Sequence, residues 1–255
     1  MASFEIQLLK SAKATGGVLV TAFPSVGMVG SIAANYVVDA LKMERIAYVV
    51  SQEVPPAAIV QDGIPTYPFR ILGRKGLSIM TSEFQIPLAL AGDLAATIID
   101  WAQKSGYSMV IGLEGLMTGQ EPAAVAEPEK DAKVFGVGST PRMREILKKA
   151  GVEQFTTGMI TGVSGALLSE GERSEKDVIC LLVDANALYP DARGAAKLVE
   201  SLTRLLPNVE IDVNELYQEA EKIEENVKAT VERTKELLAA KQGQAERLGR
   251  SLMYG

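Results

Sequence analysis

The chain of 255 residues has no histidine and one cysteine, Cys180. Without histidine, Ser-His-Asp and Cys-His nucleophile chemistry is out of reach, and so are the commonest zinc sites. Any catalysis would have to run on Asp, Glu, Lys, Tyr or a group of the substrate. One cysteine allows no intramolecular disulfide and no iron–sulfur cluster of the usual Cys-rich kind. Cys180 lies in the apolar run Val178-Ile179-Cys180-Leu181-Leu182-Val183, so a buried strand thiol is expected rather than a redox centre. Aromatic residues make up only 5%, which leaves core building to aliphatic and small side chains. No apolar run reaches membrane-spanning length, and the first residues lack a signal-peptide pattern. No membrane partner and a cytoplasmic location are therefore expected. The net charge of −6 argues against a nucleic-acid partner, which needs a basic footprint.

What is present is the balance of a globular protein, 47% hydrophobic and 23% charged, on a chain long enough to bury a sizeable core. Short apolar runs predict buried strands at Gly17 to Phe23, Ile46 to Ser51, Leu77 to Ser82, Ser108 to Gly112, Lys133 to Val137 and Val178 to Val183. Helical spacing predicts helices over Met28 to Leu41, Leu88 to Ser105, Pro141 to Ala150 and Pro190 to Leu206. This alternation points to an α/β sheet covered on both faces. The polar, Pro-containing segment Gly119 to Asp131 reads as a surface loop. From Asn214 to Arg250 the chain is rich in Glu, Lys, Ala, Gln and Leu, and Asp212 followed by Glu215 resembles a capping box. Leu216, Ala220, Ile223, Val227, Val231 and Leu238 form one narrow stripe on this expected long helix. It could pack on its own domain or extend as an arm.

Several segments could carry chemistry. Phe23-Pro-Ser-Val-Gly-Met-Val-Gly-Ser31 is a Gly-rich turn between strand and helix, the kind that can offer backbone N–H groups to a phosphate. It is neither a Walker A loop nor Gly-x-Gly-x-x-Gly, so Ser25, Gly27 and Gly30 form a possible ligand loop or a packing loop. Gly162-Val-Ser-Gly-Ala166 falls short of a nucleophile elbow, and no histidine could activate Ser164. Asp184 and Asp191 flank Asn186 and Pro190. They could act as an acid/base pair, or Pro190 could open a helix whose N-terminus Asp191 favours. Met253-Tyr254-Gly255 is a hydrophobic residue, a tyrosine, a variable residue and then a carboxylate, a tail that a pocket with a lysine could capture.

Taken together, Phe23 to Ala34, Val60-Gln-Asp-Gly63, Gly158 to Leu168 and Tyr189-Pro-Asp-Ala-Arg193 resemble the proteasome assembly chaperone family, in particular its archaeal homo-oligomeric members. The resemblance covers roughly residues 15 to 213. It implies a three-layer αβα sandwich related to nucleoside phosphorylases and hydrolases, with a long C-terminal helix and no catalytic residue, cofactor or metal. It implies an ATP-independent chaperone or activator. It also implies that Met253, Tyr254 and Gly255 are the family's hydrophobic–Tyr–X (HbYX) tail, which inserts between α-subunits of the proteasome core particle. On this reading residues 1–213 are the chaperone-like domain and 214–255 the helix and docking tail. The competing reading is a nucleoside- or nucleotide-handling hydrolase or phosphorylase, with phosphate near Gly27 to Ser31 and Asp184 or Asp191 as acid/base. A third is a ligand-sensing scaffold of that fold.

Overall fold

The computed structural model describes residues 4–9, 16–74, 76–117, 132–187, 189–206 and 209–226. In chain order the strands are β1 (Glu5–Leu8), β2 (Gly17–Ala22), β3 (Glu44–Val50), β4 (Ile59–Gln61), β5 (Ile64–Thr66), β6 (Phe69–Arg74), β7 (Leu77–Ser82), β8 (Tyr107–Leu116), β9 (Val134–Gly138), β10 (Glu153–Gln154) and β11 (Val178–Asp184). The helices are α1 (Val29–Ala40), α2 (Ala91–Ser105), α3 (Pro141–Lys149), α4 (Gly162–Arg173) and α5 (Ala192–Leu205). A sixth helix, α6, occupies 214–226 up to the limit of the described residues.

The apolar runs become the centre of a nine-stranded mixed sheet of order β1-β3-β6-β7-β2-β8-β11-β9-β10. β7, β2, β8 and β11 are mutually parallel. The antiparallel strands β6, β3 and β1 extend one side and β9 the other, with β10 parallel to β9. Every residue of β2 and β7 is buried, as a strand covered on both faces requires. Alternation divides the core in two. Val18, Val20 and Ala22 pack with α1, α3 and α5 on one face, and Leu19 and Phe23 with α2 and α4 on the other.

The parallel strands therefore end together, and the loops after β2, β7, β8 and β11 gather at one end of the sheet. In an open α/β sheet this carboxyl end is where ligand sites are usually built. α6 also leads there. It lies antiparallel to α5, with the Tyr217 hydroxyl donating to Glu200 at 2.8 Å and Glu224 paired with Arg193 at 2.7 Å. Leu216 and Ala220 are buried in the main core, and the Tyr36 hydroxyl donates to the Asp212 carbonyl. The first turns of the C-terminal helix thus pack on the domain. The expected stripe residues Val227, Val231 and Leu238 lie outside the described residues, as does the expected loop Gly119 to Asp131.

Some boundaries differ from expectation for local reasons. The last core helix starts at Ala192, not Pro190, because the Asp191 carboxylate caps it by accepting from Gly194 N at 2.7 Å. Pro190 stands before the cap. The Asp212 carboxylate accepts from Asn214 N at 2.9 Å, and the helix begins at 214. That is a turn two residues long rather than the three-residue reach of a capping box.

Candidate functional site

The loop after β2 is shaped by glycine at three places. Gly27 and Met28 both have positive φ, 61° and 53°, which reverses the chain before α1. A Cβ on Gly27 would lie 2.8 Å from the Asn186 carbonyl, and one on Gly30 would lie 2.8 Å from the Leu113 carbonyl. From the other side, a Cβ on Gly115 would lie 2.3 Å from the Val26 carbonyl. All three distances are below any real Cβ contact, so only glycine fits at these positions. The loop is pinned further by Asp191, whose N–H donates to the Gly27 carbonyl at 2.8 Å. Gly27 and Gly30 thus serve close packing.

Ser25 does something else. Its Oγ accepts from Gly115 N at 3.3 Å, and its hydroxyl also bonds the carboxylate of Glu114. Glu114 stands near the end of β8, on the sheet face covered by α4. Ser164, in the first turn of α4, donates to Glu114 Oε2 at 2.9 Å. Gly112, one pleat earlier on the same face, leaves room for this group. A Cβ there would meet Ser164 Oγ at 3.3 Å, Cys180 Sγ at 3.6 Å and Thr21 Oγ1 at 3.7 Å. A polar cluster is therefore set into the aliphatic core, with Glu114 at its rim.

Its electrostatics follow from burial. Desolvation pushes the Glu114 carboxyl above its ordinary value, against the hydrogen bonds from Ser25, Ser164 and the Gly115 N–H that favour the charged form. Burial, with the Glu114 charge beside it, drives the Cys180 thiol far up, so it remains a protonated, inert thiol. Ser164 is 4% exposed and faces a carboxylate that is its acceptor. It offers no reachable nucleophile.

The second acidic candidate is also occupied. The Asp191 carboxylate accepts from Gly194 N and, at 3.1 Å, from Asn186 N, so it ties its own loop to the start of α5. Among the described residues no group of three or more Cys, Asp or Glu side chains could hold a metal ion, and no helix is long and apolar enough to cross a membrane. The structure thus brings Ser25, Gly27, Gly30, Ser164 and Asp191 to one end of the sheet. It adds Glu114, which sequence reasoning does not single out. The signal is available: a lone carboxylate inside the apolar run Met109 to Leu116. Met253, Tyr254 and Gly255 lie outside the described residues.

With this geometry in place, the chain can be set beside known proteins. Residues 19–231 match the model of the PAC2 family. The chain belongs to the PAC2 family. An uncharacterised protein of Methanocaldococcus jannaschii, MJ0106, is 30% identical over 215 residues, 84% of this chain and 85% of its own. Among solved structures, Pyrococcus furiosus PbaA, an archaeal homolog of proteasome-assembly chaperone, superposes with a TM-score of 0.80 at 30% identity, over 96% of this chain and 99% of PbaA. Pyrococcus furiosus PbaB, an archaeal proteasome activator, has the same fold. It gives a TM-score of 0.76 at 21% identity, over 90% of this chain and 99% of PbaB.

Proposed function

We propose that this PAC2 family member is a non-catalytic, cytoplasmic partner of the proteasome core particle. It would be an ATP-independent assembly chaperone or activator that works as a homo-oligomer and docks between α-subunits through Met253-Tyr254-Gly255. The observation that carries the proteasome role is the likeness to PbaA along nearly the whole of both chains. The arrangement of α6 supports docking through the tail. The helix is anchored by Leu216, Ala220 and the Arg193–Glu224 pair, and it is directed to the carboxyl end of the sheet. Its last described turn therefore lies on one defined side of the domain. In an oligomer several tails would start from equivalent places, and linked weak contacts gain from effective concentration.

The site chemistry supports a binding role over turnover. An enzyme of the related phosphorylase or hydrolase sandwich would need a free acid or base and an open phosphate cradle. Here Glu114 is held by Ser25 and Ser164, Asp191 caps α5, and the glycines of the loop serve close backbone packing. The test is capture of archaeal core particles by the full chain and by a chain ending at Leu252. The full chain should retain the particles and the shortened one should not. Equal retention would remove the docking role of the tail.

A further inference from the structure

Strands β3 and β6 are antiparallel neighbours, and two residues would suffice to join such a pair. Residues 51–68 join them instead, and most of this excursion stands in solvent. From Pro55 to Pro65 the sequence is Pro-Pro-Ala-Ala-Ile-Val-Gln-Asp-Gly-Ile-Pro, with Asp62 as its one charge. Its outer half is the β4–β5 hairpin, a separate two-stranded sheet. Asp62 and Gly63, φ 51° and 75°, form the two-residue turn expected of Asp-Gly between strands. Paired residues share a face. Val60 and Pro65, which pair, lie on one side, and Ile64 on the other. Val60 is 68% exposed and Ile64 65%, so both sides of the hairpin present apolar surface. Among the described residues its side-chain ties lie at the base. The Arg45 guanidinium donates to Thr66 Oγ1 at 3.4 Å, and the rings of Tyr48 and Tyr67 meet edge to face at 5.7 Å.

We propose that the β4–β5 hairpin is an arm that seats against a second copy of this chain. A two-stranded hairpin with no packed face is marginal in water, so one that is apolar on both sides needs cover as long as the protein is folded. A second copy is the partner present whenever the chain is. Near absence of charge is also the composition of the buried centre of a homo-oligomer contact rather than of a transient one. The surroundings extend the patch. Exposed Met28, Leu88, Met117 and Met159 lie on loops at the same carboxyl end of the sheet, to which the start of β6, paired with the end of β7, also brings the hairpin. The proposal rests on the homo-oligomer reading above and says where its contact lies.

The experiment is light scattering of the full chain at micromolar concentration, wild type against Val60→Asp/Ile64→Asp, with circular dichroism to follow the fold. The wild type should be an oligomer. The double variant should be a folded single chain, its dissociation constant raised roughly a hundredfold or more. An oligomeric wild type with an unchanged double variant would overturn the arm and leave the homo-oligomer reading standing. A monomeric wild type would overturn both. A double variant that stays oligomeric but no longer captures core particles would also overturn the arm, since the hairpin would then face the proteasome. If the variant fails to fold, amide exchange on the wild type decides. Protection at residues 59–66 should fall as the protein is diluted, and protection independent of concentration would overturn the proposal.

Discussion

Two regions at the same end of the sheet are built in opposite ways. Around Glu114 polar groups are folded inward, and Ser164 and Ser25 are each met by the carboxylate. In the β4–β5 hairpin apolar groups are turned outward and stand largely in solvent. The Glu114 region is where a ligand site would be expected from topology, yet its carboxylate is hydrogen-bonded by Ser25 and Ser164 and its loop glycines are tightly packed. The hairpin has the place of an ordinary strand connection, yet it carries surface that water disfavours.

The comparison can be broken first at its tightest point. Gly115→Val should cost about 3 kcal/mol or more, because its Cβ would lie 2.3 Å from the Val26 carbonyl and backbone cannot yield as a side chain can. Urea unfolding measures it, and a loss under about 1 kcal/mol would mean the loop is not held as described. Ser164→Ala should cost about 1–3 kcal/mol, the usual penalty for leaving a buried partner unsatisfied. It should leave core-particle capture unchanged, and loss of capture without loss of stability would contradict a purely structural Ser164.

The smallest effect sharpens the account of Glu114. Its folded value is raised above the ordinary 4.5 by burial, so the folded state favours the protonated acid. Its contribution to stability is full below the unfolded value and is lost as pH rises through the folded value. Glu114→Gln, which is neutral throughout, should therefore gain on the wild type in melting temperature from about pH 4.5 toward neutrality. A gap that closes as pH rises would show that the hydrogen bonds outweigh desolvation.

How far the fold is legible depends on the kind of signal. β2, β7, β8 and β11 are readable because their central residues are buried on both faces, so each run is dominated by apolar and small residues. β6 escapes a pattern search because its alternation is broken by Gly73, where Ile46 and Ser78 leave no room for a side chain. α4 escapes because Gly162, Ser164 and Gly165 lower helix propensity. Tertiary packing overrides it: a Cβ on Gly165 would lie 2.1 Å from the Ile160 carbonyl. Asp62-Gly63 between Ile-Val-Gln and Ile-Pro-Thr is a direct hairpin signal, though it enters the sequence reading only through a family likeness. Glu114 stays hidden because a single carboxylate has no spacing pattern, and only the fold brings Ser25 and Ser164 to it. The proposed docking tail, Met253-Tyr254-Gly255, lies outside the described residues, and its reading rests on the three-residue pattern alone.

The most direct test of the proteasome role is the affinity of the full chain for immobilised core particles by interferometry, wild type against Tyr254→Ala. A rigid aromatic anchor is commonly worth about 2 kcal/mol or more per contact, and several tails on one oligomer multiply the loss. The account predicts that binding falls below detection while the melting temperature and the oligomeric mass stay unchanged. Equal affinity for the two chains would contradict it.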